Sequence, residues 1–341
     1  MIKSPFRPLA LIVALAGLGL AGVAAAAETP VKFSLDWKFE GPSAPFLLAM
    51  EKGYFTEEGL DVTIDTGAGS VEPINRVASG AYDMGFGDIN SVIKFNDQNP
   101  STPLKSIYMV YNKPAFAIVG RKSLGVSAPK DLEGKKLGAP APDGAYAQWP
   151  IFVEANGIDA AKVTIENVGF PVREPMLATG QVDAITGFSF SSFINLKANG
   201  VPVDDISVLL MADHGVDLYG DTIIVSPAFA EKNPEAVKGF LKALNKAIEE
   251  TIADPEAAVK YVVAANPVVD EATELERLKM AIDQNIVTDE VKKNGLGAVE
   301  ADRLASAIDQ IGLTFTYTAK PPAAEAFDAS FLPDAAERMI E

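Results

Sequence analysis

The sequence predicts an α/β protein of two units, the second inserted into the first. Three observations point there. From residue 31 onward, runs with strand character alternate with runs of helical spacing, as in chains that cross over through helices into parallel sheets. The alternation halts near residue 121 at a polar connector, Ser127-Ala-Pro-Lys-Asp-Leu-Glu-Gly134, and begins again at Lys136. A length of 341 residues also suits about two folding units of ~100–200 residues each.

In the first unit, residues 31–36 alternate as a strand and 44–52 read as a helix closed by Gly53. A second strand covers 60–65, a short helix 72–79 ends at Gly80, and a buried strand covers 82–87. A helix starts over 91–96, and two more strands cover 105–111 and 115–120, so this lobe takes residues 28–120. The second lobe, 121–218, opens with a strand at 136–138 and a helix over 146–156 that Gly157 stops. It continues as strand 163–168, helix 173–179, strand 184–187, helix 191–198 and strand 206–211. Residues 222–225 form a strand returned to the first lobe, which also takes 219–341. Helix 235–252 starts at Asn233-Pro234 and stops at Asp254-Pro255, with Val237, Phe240, Leu241, Leu244 and Ile248 on one face. Helices 273–286 and 301–311 follow, and Pro321, Pro322 and Pro333 predict an extended, loosely packed tail.

Residues 1–27 read as a secretory signal peptide. Lys3 and Arg7 precede an uncharged run from Leu9 to Val23, and Ala25-Ala26-Ala27 supplies a small-residue cleavage site. There is no cysteine, which excludes disulfides, thiolate metal sites, a cysteine nucleophile and a lipid-modified cysteine after the signal. The expectation is a freely diffusing monomer in a bacterial periplasm, cut near Ala27 and not a lipoprotein. The formal charge is −17, and loss of Lys3 and Arg7 makes the mature chain more negative still. That balance argues against nucleic acid or an anionic membrane as partner.

Few residues offer catalysis. The single histidine, His214, stands in Met-Ala-Asp-His-Gly without a nucleophile elbow, and no spacing of His or carboxylates suggests a metal. No cofactor is expected. Gly67-Ala-Gly69-Ser70 is neither a dinucleotide fingerprint nor a P-loop; its glycines turn the chain, and Ser70 is placed to cap the helix that follows. The expected cleft residues are those at the carboxyl ends of strands or at element ends, where α/β proteins bind ligands. Among aromatics these are Trp37, Phe39, Tyr146, Trp149, Phe188, Phe190 and Tyr219; among acids Glu40, Asp88, Asp143, Glu174 and Asp217. Gly69, Ser70 and Arg173 complete the set.

Several stretches carry a resemblance. WKFEGPSAPFLLAMEKGYFTEEGLDVTI, GAGSVEPINRVASGAYDMGFGD, PKDLEGKKLGAPAPDGAY, GQVDAITGF and SPAFAEKNPEAVKGFLKAL resemble the NMT1/THI5-like solute-binding proteins. These are substrate-capturing subunits of ABC importers for sulfonates, taurine, nitrate and thiamin-precursor pyrimidines. The resemblance implies a type II periplasmic binding protein: two lobes joined by crossover strands near residues 118–121 and 218–223, with ligand between them. It adds weight to Trp37, Gly69, Ser70 and Asp88, and implies a permease and its ATPase as partners. The expected ligand is a small organic solute, either an amine-bearing aromatic or pyrimidine-like ring or a sulfonate such as taurine. Fungal relatives are pyrimidine-precursor synthases that rely on histidine and cysteine, so an enzyme of that type is one alternative; a binding module for a membrane sensor is another.

Overall fold

A computed structural model describes residues 27–340 of the chain, so the signal-peptide reading lies outside the described residues. In chain order the strands are β1 (Thr29–Ser34), β2 (Leu60–Asp65), β3 (Met84–Asp88), β4 (Lys105–Met109) and β5 (Phe116–Arg121). They continue as β6 (Lys136–Ala139), β7 (Thr164–Asn167), β8 (Ala184–Phe188), β9 (Ile206–Leu210) and β10 (Asp221–Val225). They form two mixed sheets, ordered β2-β1-β3-β10-β4 and β7-β6-β8-β5-β9. Within each five-stranded sheet four strands point the same way, and the fourth in order, β10 or β5, lies antiparallel to both its neighbours. The parallel strands are joined through helices, as the alternation in the sequence requires.

Two passages differ from expectation. The strand read over 115–120 and assigned to the first lobe pairs with β8 and β9, so it belongs to the second sheet. The segment is apolar throughout, which marks a buried central strand but not the sheet that receives it. The chain therefore passes between sheets at 110–115, a few residues before the first crossover the resemblance implies, and at 211–220, which overlaps the second. These passages are bonded together: Gly220 N–H donates to the Tyr111 carbonyl at 2.9 Å. One guanidinium from helix Ala301–Ile311 ties them further. Arg303 donates to the carbonyls of Asn112 and Leu218, at 3.1 and 2.7 Å, and pairs with Glu290 at 3.0 Å.

Local chemistry explains the remaining boundaries. The helix read over 146–156 is two pieces, Gly144–Ala147 and Trp149–Ala155, because Pro150 lacks the N–H that would continue the first. Asp254-Pro255 both ends helix Pro234–Ala253 and begins helix Pro255–Ala265, with the Asp254 carboxylate accepting from Ala257 N–H at 2.9 Å. The tail is not loose. Phe327 and Phe331 are buried in the two main cores, and buried Arg338 donates to the Leu296 carbonyl at 2.6 Å. Among the described residues no helix is long and apolar enough to cross a membrane.

Candidate functional site

The carboxyl ends of β1, β2 and β3 face those of β6, β7 and β8 across a cleft with about 620 Å³ of free space, counting the part open to solvent. The loop after β1 contributes Asp36, Trp37, Lys38 and Glu40; the turn after β2 contributes Gly69 and Ser70. From the opposite side come Asp143 after β6, Phe170 and Arg173 after β7, and Phe188, Phe190 and Ser191 at the end of β8. Tyr111, in one of the passages between sheets, forms part of the lining.

Aromatic faces dominate. Trp37 and Phe170 meet edge to face across the cleft, with centroids 4.9 Å apart. Deeper in, Tyr111 sets its ring edge against Phe86, Phe188 and Phe190 at 5.2, 6.4 and 6.0 Å. The two halves are closed onto each other. Gly69 has φ +102°, and a Cβ there would lie 2.9 Å from the Pro142 carbonyl oxygen; a Cβ at Gly144 would lie 2.8 Å from the Ser70 hydroxyl.

Charge in this cleft is unevenly matched. Arg173 is buried and committed, donating to Glu174 at 2.6 and 3.0 Å and lying 3.7 Å from Asp143. Asp143 also accepts from the Thr186 hydroxyl at 2.7 Å and from Ala145 N–H. Arg277, on helix Glu271–Ala281, pairs with Glu274 at 3.0 Å and Glu40 at 3.5 Å. Burial pushes the carboxyls upward: Asp36 to about 7 and Asp88 to about 6, with Asp143, Glu40 and Asp221 also raised. The Asp221 shift is the strongest in direction, since Asp36 and Asp88 add their repulsion to its burial. Asp36 and Asp221 are in side-chain contact, and a hydrogen bond between two carboxyls requires a proton on one of them.

Of the residues singled out in the sequence, Trp37, Glu40, Gly69, Ser70, Asp143, Arg173, Phe188 and Phe190 line the cleft. Ser70 does so without capping: at φ −60° and ψ −20° it is already helical, and its side chain makes no cap bond. The others lie outside the lining. Phe39 packs on the first core, and its carbonyl accepts from Asn266. Asp88 is buried as the N-cap of helix Ile89–Gln98, accepting from the N–H groups of Asn90 and Ser91 at 3.0 Å each. Trp149 stacks on Phe152 in the second core, against which Tyr146 also packs. Glu174 holds Arg173. Asp217 is exposed beside Arg303, and the Tyr219 hydroxyl donates to Glu290 at 2.6 Å, so both serve the clamp on the passages. His214 packs its ring edge on Phe152. Sequence reasoning missed Asp36, Tyr111, Phe170 and Asp221. Phe170 had a usable signal, since it follows a strand as Trp37 does; Asp221 had none, because its neighbours come from strands far off in the chain. Among the described residues no group of His, Asp and Glu is arranged to hold a metal ion.

Comparison with known proteins agrees with this geometry. The family model described as NMT1/THI5 like matches residues 41–258. The formylaminopyrimidine-binding protein of Halalkalibacterium halodurans is 30% identical over 242 residues, covering 68% of this chain and 69% of that one. The 4-amino-5-hydroxymethyl-2-methylpyrimidine phosphate synthase of Aspergillus parasiticus is 27% identical over 248 residues, covering 70% and 71%. Among solved structures, the periplasmic aliphatic sulphonate binding protein SsuA of Escherichia coli superposes with a TM-score of 0.69 at 15% identity, over 88% of this chain and 97% of that one. The fold is thus the two-lobed periplasmic-binding-protein fold, and the chain belongs to the NMT1/THI5-like family.

Proposed function

We infer that the protein is the solute-capturing subunit of an ABC importer, exported to the periplasm as a monomer, which closes around one small organic molecule and hands it to a permease driven by an ATPase. The observation that carries this reading is the cleft itself. Its walls come from both halves, and Trp37 and Phe170 meet across it, so a solute held there touches both halves and stabilises the closed arrangement. Trp37 and the Tyr111–Phe188–Phe190 group supply apolar faces, while Ser70, Glu40 and Asp36 supply polar atoms. The role is binding without turnover: His214, the chain's only histidine, packs on Phe152 and is not among the residues lining the cleft.

The test uses the protein purified from its native host. Native mass spectrometry identifies the molecule it carries, mild denaturation strips it, and X-ray scattering follows its return. The radius of gyration should fall when the molecule is restored, and Trp37→Ala should weaken its binding at least tenfold, the loss of roughly 1.5 kcal/mol of aromatic burial. A stripped protein whose dimensions ignore every molecule it had carried, or conversion of that molecule to product, counts against capture.

A further inference from the structure

The two halves meet again along a seam beside the cleft, between helix Glu271–Ala281 and helix Ser189–Ala198. The first helix packs into the core of the first sheet through Leu278 and Ala281, and the second into that of the second sheet through Leu196. The seam starts at the passages between the sheets. Ser189 N–H donates to the Ala115 carbonyl at 2.8 Å, and its hydroxyl donates to Gln284 at 3.0 Å. Beside Gln284, Asn285 exchanges hydrogen bonds with the Lys113 main chain at 3.0 and 3.1 Å. From there the seam runs outward past Ser191 and Asn195 to Lys197, which pairs with Glu276 at 2.6 Å. Between Ser189 and Lys197 the helix climbs roughly 12 Å, so a rotation about the passages parts the seam progressively towards its outer end.

Arg277 stands in the middle of this seam, its side chain 4% exposed. Nε and Nη2 donate to Glu274 at 3.0 and 3.3 Å, and Glu274 also accepts from Gly41 N–H at 2.6 Å. That fixes the guanidinium in the first half. It then crosses to the second: Nη1 donates to the Ser191 carbonyl at 3.4 Å and Nη2 to the Asn195 side-chain oxygen at 3.2 Å. Nη1 also lies 3.5 Å from a Glu40 oxygen that is buried without a hydrogen-bond partner. Glu40 and Ser191 line the cleft, one from each half, and Arg277 lies behind both.

On the reading that this cleft captures a solute, we propose that Arg277 is the latch of closure. It is a positioning residue, held by Glu274 in one half, that fastens on Ser191 and Asn195 of the other when the halves shut. It thereby sets Glu40 and Ser191 against the solute without touching it. Opening strips away only the acceptors of the second half and leaves the Glu274 pair intact, so the guanidinium is never left unpaired and the latch is reversible. The buried, charge-assisted bonds of Arg277 hold the seam, whereas the exposed Lys197–Glu276 pair at its outer end adds little.

Spin labels test this. The chain has no cysteine, so Thr63→Cys on β2 and Thr164→Cys on β7 give two unique, exposed labelling sites. Both lie on outer strands, at the sheet edges opposite β4 and β9 and so away from the passages. Double electron–electron resonance on the mature protein purified from its native host, with the molecule it carries, should give a predominant short distance. Asn195→Ala and Arg277→Gln should each lower the ratio of short to long distances about tenfold, the loss of hydrogen bonds from a charged donor. Lys197→Ala should leave that ratio within about twofold of wild type. Asn195→Ala, which keeps the Arg277–Glu274 pair, should also keep the thermal midpoint within a few degrees of wild type, which separates loss of the latch from loss of fold. A wild-type protein without the short distance, an unchanged ratio in Asn195→Ala, or an equal loss in Lys197→Ala overturns the inference. Ratios that respond to the variants but not to removal of the carried molecule uphold the latch and count against capture, so the two readings fail separately.

Discussion

Asp36 and Asp221 make the empty protein sensitive to pH in a direction opposite to ordinary acid denaturation. A buried carboxyl raised above its unfolded value holds a proton that the unfolded chain has already lost, so the native state binds more protons across that interval and stability falls as pH rises. With Asp36 pushed up to about 7, Asp88 to about 6, and Asp221 and Asp143 also raised, the interval runs from the ordinary carboxyl value near 4 to about 7. Carboxylates shifted downward, such as Glu133 at about 2 and Glu250, lose their contribution only below that interval. The unliganded protein should therefore melt at a higher temperature near about pH 5 than near about pH 7.5, and Asp221→Asn should shrink the difference. A scanning-calorimetry series that rises monotonically from about pH 5 to about pH 7.5 would contradict this assignment. None of this was visible in the sequence. Asp36 is one residue from Trp37, which sequence reasoning did select, yet its partner becomes a neighbour only because β1 and β10 flank β3.

At the level of elements, helix Ala301–Ile311 does more than cover a core. Its Arg303 guanidinium reaches Asn112 on one passage between the sheets and Leu218 on the other, lies over the Tyr219 ring at 4.0 Å, and pairs with Glu290. Arg303→Ala should cost about 2–3 kcal/mol in a urea titration, the loss of several hydrogen bonds from a charged donor. Arg303→Lys should recover only part of that, because an ammonium cannot reproduce the planar fork. The helix was legible from its apolar spacing, as were most strands and the glycines that stop the helices. Its role was not, since Asp217 and Tyr219 present themselves in sequence as loop residues equal to any lining residue. The same limit misplaced the strand at 115–120: periodicity reports burial, and only pairing with β8 and β9 reports the sheet. Proline was read correctly as a stop at Asp254-Pro255, but the start it also makes was not. Pro255 ends one helix by opening another, and the sequence rule for stops is silent on starts immediately after them.

For the whole molecule, the repeated strand order means that each half presents its parallel strand ends to the other, so closing brings equivalent loops face to face. The closed arrangement depends on absent side chains. Gly144 lies in a regular helical turn, so a larger residue there strains no backbone; it presses mainly on the Ser70 hydroxyl of the other half, at 2.8 Å, and less closely on the Phe116 ring of its own, at 3.2 Å. Gly144→Val should leave the thermal midpoint of the empty protein within a few degrees of wild type, keep the radius of gyration of the liganded protein at its open value, and speed ligand release at least tenfold, as scattering and stopped-flow fluorescence would record. A Gly144→Val protein that closes normally would show that the halves meet elsewhere. At Gly69 a Cβ would meet the Pro142 carbonyl oxygen at 2.9 Å and the Phe170 ring at 3.1 Å, and of the two only the ring can turn aside. The backbone approach of Gly69 to Pro142 therefore sets how closely the jaws shut. A solute that forces Gly69 away from Pro142 holds the jaws apart however well its polar atoms are matched, so bulk and polarity are screened by separate parts of the molecule.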